Sequence, residues 1–170
     1  MLVGLGSNVD RERNVRRAVE ALEARFGPLA CSAVYETEPV GLDGDPFLNM
    51  AVSFESERPA ADIEAALKGI EAELGRPGGD AFAPRTIDLD LLLYGEAVID
   101  APGLRLPRPE LTRHAFMLGP ASEVAGDMRH PELGHSLAEL WAQWGEAGLR
   151  RVTGVLKDPA DCREGSAPTG

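Results

Sequence analysis

Pro84-Arg85-Thr86-Ile87-Asp88-Leu89-Asp90-Leu91-Leu92-Leu93-Tyr94-Gly95 runs from a breaker and an arginine into an apolar strand that ends at Gly95. Strand side chains alternate faces, so Asp88 and Asp90 point the same way, roughly 6–7 Å apart at Cα. Ile87, Leu89 and Leu91 point the other way, into a core. Two unpaired carboxylates repel each other, and burying them uncompensated is costly. A divalent cation removes that conflict, and Mg²⁺ is held by one or two carboxylates together with phosphate oxygens. Arg85, just upstream, offers a planar fork of donors suited to a phosphate. The stretch reads either as a magnesium–phosphate site on a strand or as an Asp pair on a solvated strand face. D-x-D alone is a short motif that matches often by chance.

Working outward, the elements before this strand have clear signals. Leu2 to Leu5 reads as a short buried strand ended by Gly6-Ser7-Asn8. Asp10 is placed to cap a helix, along which Val15, Ala18, Val19, Leu22 and Phe26 recur at helical spacing before Gly27-Pro28 stops it. Residues 30–36 read as a second strand, and Thr37 to Pro46, with Pro39, Gly41 and Gly44, as a loop. Phe47 to Glu55 alternates cleanly. Leu48, Met50, Val52 and Phe54 form one face, while Phe47, Asn49, Ala51 and Ser53 form the other. An aromatic and an amide thus stand side by side, either as a ligand contact or as a packed ring beside a solvated Asn. Pro59 suits a first helical turn, and Ile63, Ala66, Leu67, Ile70 and Leu74 follow at helical spacing up to Gly75. The order is β-α-β-β-α-β, that of the ferredoxin-like motif. The expected fold is α+β, a ferredoxin-like βαββαβ core with a C-terminal strand pair and helices. The strand pair is expected near Ala97–Ile99 and Leu104–Leu106, with a turn at Pro107–Pro109 and a helix over Ser136 to Trp144. Residues 1–156 read as one domain, and Lys157 to Gly170 as a disordered polar tail.

A chain of 170 residues has enough length for a real core. Its net charge of −11 argues against a nucleic-acid-binding surface. Lys68 and Lys157 are the only lysines, whereas Arg76, Arg85, Arg105, Arg108 and Arg113 crowd one central stretch. That concentration reads as an anionic-ligand site or as scattered surface arginines. Cys31 and Cys162 form neither a disulfide framework nor a zinc pattern. With no signal peptide and no membrane-length apolar run, a soluble, cytoplasmic monomer without membrane or nucleic-acid partners is expected. His130 and His135 read as plain surface residues, and no Ser-His-Asp or Cys-His arrangement stands out.

Several landmarks in order resemble the 6-hydroxymethyl-7,8-dihydropterin pyrophosphokinase family of folate biosynthesis. They are Gly4-Leu5-Gly6-Ser7-Asn8, Tyr35-Glu36-Thr37-Glu38-Pro39-Val40-Gly41, Phe47-Leu48-Asn49, Glu71 with Gly75-Arg76, Pro84 to Asp90, Leu106-Pro107 and Phe116-Met117-Leu118. The resemblance implies a transferase that moves the terminal pyrophosphate of ATP onto the pterin hydroxymethyl group and releases AMP, using two Mg²⁺ ions. By that analogy Asp88 and Asp90 hold the metals and act in catalysis with Arg76 and Arg85. Glu71, Arg76, Arg85, Leu104, Arg105, Arg108 and His114 lie toward ATP. Thr37, Val40, Phe47, Asn49 and Phe116 bind the pterin, the two rings sandwiching it. The chain departs from the family in its loop Pro77–Ala83, which lacks the usual arginines, and in Arg108 and His114, where the family has histidine and arginine. Two other readings compete: a nucleotidyltransferase with a D-x-D metal site, and a pterin- or nucleotide-binding module without turnover.

Overall fold

The computed structural model describes residues 1–38, 45–75, 86–144 and 148–156. Strand β1 (Leu2–Ser7) leads into helix α1 (Arg11–Phe26), followed by β2 (Ala30–Cys31), β3 (Val34–Thr37), β4 (Phe47–Ser53), helix α2 (Ala60–Glu73) and β5 (Asp88–Leu93). A hairpin of β6 (Ile99–Ala101) and β7 (Leu104–Leu106) comes next, then a 3₁₀ turn at Pro109–Thr112. Helices α3 (Ala115–Ala125) and α4 (Leu137–Ala142) and strand β8 (Arg150–Val152) complete it. The main sheet has the order β5-β1-β4-β3-β8, all antiparallel, with β2 also on β4. This is the ferredoxin-like core that the element order predicts, extended by one strand at the β3 edge.

The expected single strand over 30–36 is divided. Ala30 pairs with Ser53 and Cys31 with Val52, but Tyr35 pairs with Asn49, so this side carries one extra residue. That is a β-bulge. Ser32 fills the gap: its backbone N–H donates to Ala51 O and its hydroxyl accepts from Ala51 N, both at 2.9 Å. The Asp10 cap is also corrected. Asp10 stands at the N-cap but in the left-handed region (φ 43), and its side chain caps nothing. Asn14 Nδ2 instead donates to Val9 O at 2.7 Å, tying the first turn to the end of β1. Cys31 is buried and disulfide-bonded, a single bond that the absence of a disulfide framework in the sequence did not point to.

Two apolar clusters sandwich the sheet. Val3, Leu5, Leu48, Met50, Val52, Leu89 and Leu91 face α1 and α2. Leu2, Ala51 and Leu92 face the other way, under Leu118 and Ala121 of α3 and Leu137 of α4. Of the C-terminal helices expected, only the one over Ser136 to Trp144 is placed by the sequence, and α3 at Ala115–Ala125 is located by the structure. Pro120 is accommodated in the helix, and Leu118, Ala121 and Ala125 are buried. Helix α4 starts as its sequence suggests, with a capping box between Ser136 and Glu139. His130 is corrected from a surface residue to a buried one. Its Nδ1 accepts from the Glu132 and Leu133 amides at 3.3 and 3.2 Å, and burial holds its pKa below the usual histidine value. Among the described residues no helix is long and apolar enough to cross a membrane. The tail expected over 157–170 lies outside the described residues.

Candidate active site

Directly opposed residues share one face of an antiparallel sheet, so the strand register lays out the site. One row runs Tyr35, Asn49, Gly6, Asp88, and the next runs Ala51, Gly4, Asp90. In both rows β1 supplies only glycine. The result is a trough between Asn49 on β4 and the aspartates on β5. Helix α3 covers this face at the Leu2 end and presents Phe116 and Met117 at the trough's wall. A cavity of about 270 Å³ results.

Thr37, Phe47, Asn49, Phe116, Asp88 and Asp90, all singled out from the sequence, line this one cavity. Gly4, Gly6, Glu38 and Met117 line it too and were not assigned roles. The signal for the glycines was Gly4-Leu5-Gly6 itself, once its register against Asn49 and the aspartates is known. A β-carbon on Gly6 would stand 2.9 Å from Asn49 Oδ1, and one on Gly4 3.2 Å from Leu92 Cδ1. Asn49 is buried, and its Nδ2 donates to Thr37 Oγ1 at 2.6 Å. That bond fixes the amide so that Oδ1 leans over Gly6 as an acceptor.

Beyond the aspartates lies the outer edge of β5, whose backbone groups are met by charged side chains. Glu71 Oε1 accepts from Leu89 N at 2.8 Å, and Lys68 Nζ donates to Leu89 O at 3.3 Å and to Glu71 Oε1 at 3.2 Å. Arg108 donates from Nε to Leu91 O at 3.3 Å and from its backbone N to Leu92 O at 3.0 Å. Its Nη2 stands 3.5 Å from Asp90 Oδ1. Glu71, expected on the nucleotide side, is only 1% exposed and braces the strand that carries the aspartates. Lys68 was missed, because a lone lysine on a helix reads as a solvated residue. Beside it Glu64 is buried, with one oxygen lacking a hydrogen-bond partner among the described residues. Burial raises its pKa above the usual carboxylate value, against the pull of Lys68 and Arg108.

The remaining expected residues are dispersed. His114 stands at the N-cap of α3 without a side-chain capping bond, stacks on Phe116 with ring centroids 4.9 Å apart, and does not line the cavity. Leu104 packs against the main core and Arg105 is exposed on β7. Arg76, Arg85 and Val40 lie outside the described residues. At the far end of the first row, Tyr35 bonds through its hydroxyl to Glu123 of α3, which also accepts from Ala33 N at 2.9 Å in the bulge. Burial and then this bond push the Tyr35 pKa up to about 12.

The donor set suits a hard cation. Asp88 and Asp90 bring carboxylates to the cavity wall, and Asp90 meets Arg108 only at the long distance above. Among the described residues no group of three or more His, Cys, Asp or Glu forms a cage. Magnesium needs none where substrate phosphates complete its shell.

A family model described as 7,8-dihydro-6-hydroxymethylpterin-pyrophosphokinase matches residues 2–126. A 2-amino-4-hydroxy-6-hydroxymethyldihydropteridine pyrophosphokinase of Pseudomonas aeruginosa is 35% identical over 157 residues, covering 90% of this chain and 96% of that protein. A protein of the same name from Porphyromonas gingivalis is 39% identical over 137 residues, covering 76% and 92%. Among solved structures, a Plasmodium falciparum HPPK-DHPS triple mutant superposes with a TM-score of 0.68 at 13% identity. It matches 84% of this chain and 42% of that one, a likeness of fold.

Proposed function

The chain belongs to the 7,8-dihydro-6-hydroxymethylpterin-pyrophosphokinase family, and we propose how its cavity carries out that family's reaction. The reaction transfers pyrophosphate from ATP to the hydroxymethyl group of 6-hydroxymethyl-7,8-dihydropterin, in folate biosynthesis. The observation that carries the assignment is the meeting of Phe47, Asn49 and Phe116 with Asp88 and Asp90 in one cavity.

The pterin lies between Phe47 and Phe116, since an aromatic heterocycle gains from offset stacking on a ring. Asn49 Oδ1 accepts from the pterin's donor edge, and Thr37 holds the amide in that sense. A site built to bond a ligand's edge rejects analogues that leave its polar groups unpaired. The backbone near Val40 completes that edge. This seats the hydroxymethyl group toward Asp88 and Asp90.

Transfer of this kind needs positioning and charge neutralisation rather than a protein nucleophile. Asp88 and Asp90 would hold Mg²⁺, two ions in all, which when bound neutralises charge on the phosphate oxygens. Arg76, Arg85 and Arg108 lie along the phosphates, with Arg76 and Arg85 acting in catalysis. Glu71 holds β5 in place from behind, and Leu104, Arg105 and His114 flank the nucleotide. We propose further that the protein works as a cytoplasmic monomer, with residues 1–156 as the pyrophosphokinase domain.

The test is incubation of the purified protein with ATP, Mg²⁺ and the hydroxymethyl pterin. Release of AMP with the pterin pyrophosphate is the expected result. Release of pyrophosphate would mark a nucleotidyltransferase, and binding of both substrates without turnover a binding module.

A further inference from the structure

We propose that Arg108 competes with the divalent cation for Asp90, so that tight metal binding waits on the nucleotide. The inference rests on the reading of Asp90 as a metal ligand. Arg108 is anchored at its base: its backbone N and its Nε are both held by β5 carbonyls, at 3.0 and 3.3 Å. Only the far end of the guanidinium reaches Asp90, and the 3.5 Å contact is longer than the 2.7–2.9 Å usual for a charge-assisted bond. Both side chains are about one quarter exposed, 27% and 25%. The pair is therefore close enough to neutralise Asp90 and loose enough to exchange.

The surroundings make exchange two-sided. Glu64 of α2, buried and with one oxygen unpartnered among the described residues, interacts electrostatically with Arg108, Asp90, Lys68 and Glu71. Lys68 is already engaged, 3.7 Å from Glu64 and 3.2 Å from Glu71. The guanidinium of Arg108 is thus the cation that covers Asp90 on this edge among the described residues. Without nucleotide it opposes a metal at the same carboxylate by simple charge repulsion. Phosphates beside β5 offer it a better partner, since guanidinium pairs with phosphate in a bidentate fork. Its departure uncovers Asp90 for the metal. Metal and nucleotide then assist one another, and linkage makes the assistance reciprocal.

Mn²⁺ binding followed by electron paramagnetic resonance tests this on the intact protein without substrate. Arg108→Gln should bind Mn²⁺ about fivefold more tightly than wild type, the scale of one partly exposed ion pair. Arg108→Lys, which keeps the charge, should stay near wild type. With a non-hydrolysable ATP analogue present, the gap between Arg108→Gln and wild type should close. Equal Mn²⁺ affinity in wild type and Arg108→Gln without nucleotide, with Asp90→Asn still weakening it, overturns the competition and leaves the metal site standing. Equal tightening by Arg108→Gln and Arg108→Lys also overturns it, since charge would not be the cause. Mn²⁺ binding indifferent to Asp90→Asn, with and without the analogue, removes the metal reading itself.

Discussion

The two faces of β1, β4 and β5 use one alternation for opposite ends. Facing α1 and α2, Val3, Leu5, Leu48, Met50, Leu89 and Leu91 are 3% exposed or less. Facing the cavity, the same strands carry Gly4, Gly6, Asn49, Asp88 and Asp90. The second face returns to apolar residues, Leu2, Ala51 and Leu92, only where α3 and α4 cover it. Stability therefore comes from one whole face and part of the other, and the open remainder of the second face is free to hold polar groups that a packed core would not tolerate. Substitutions on the two faces should separate activity from stability.

The sharpest contrast is between neighbours on β5. Asp90→Ala is expected to lower AMP release by at least about 10²-fold, the scale of removing an electrostatic stabiliser of developing charge. Its melting temperature should stay close to wild type, since the loose, partly exposed pair with Arg108 that it loses is worth little. Near-normal AMP release by this variant would end the assignment of Asp90. Leu89→Ala, one residue away, should cost about 2–5 kcal/mol in urea unfolding, as a large-to-small change in a full core does. Its folded fraction should bind pterin as wild type does. A Leu89→Ala protein of normal stability would mean that this face is less tightly packed than its burial indicates.

On the cavity face, Phe116→Ala should weaken pterin binding by about 1–3 kcal/mol, the value of one aromatic stack. Calorimetry should find ATP binding little changed. Equal losses for both ligands would make Phe116 a packing residue of α3, joined to His114 rather than to substrate.

The smallest effect is expected at the edge of the same face. The Tyr35 pKa is raised to about 12 from an ordinary 10.0. The fold thus favours the protonated phenol, whose contribution is complete below pH 10 and lost as pH rises toward 12. Thermal melts at pH 9 and pH 11 should diverge more in wild type than in Tyr35→Phe. An identical pH response would show that the bond to Glu123 does not latch α3 onto the bulge.

Much of this molecule was legible in its residues. The helical spacing of Val15 to Phe26 and of Ile63 to Leu74, the alternation of Phe47 to Phe54, and the punctuation between them were enough for the β-α-β-β-α-β order, because these signals are local. Alternation alone also put Phe47 beside Asn49 and Asp88 beside Asp90. Other features depended on contacts remote in sequence. The bulge at Ser32 exists only against Ala51, the helix at Ala115–Ala125 only because the sheet buries its apolar surface, and β8 only because β3 has a free edge to pair. His130 looked like a surface residue until the turn around it closed. Lys68, given no role from the sequence, and Arg108, read as an ATP contact or a surface arginine, acquire their places by meeting backbone carbonyls at the edge of β5. The sequence by itself determined which residues alternate and coil, and therefore which could share a face. Only the tertiary structure decided which faces meet, because opposed registers on β1, β4 and β5 are what bring two glycines, an amide and two aspartates into one trough.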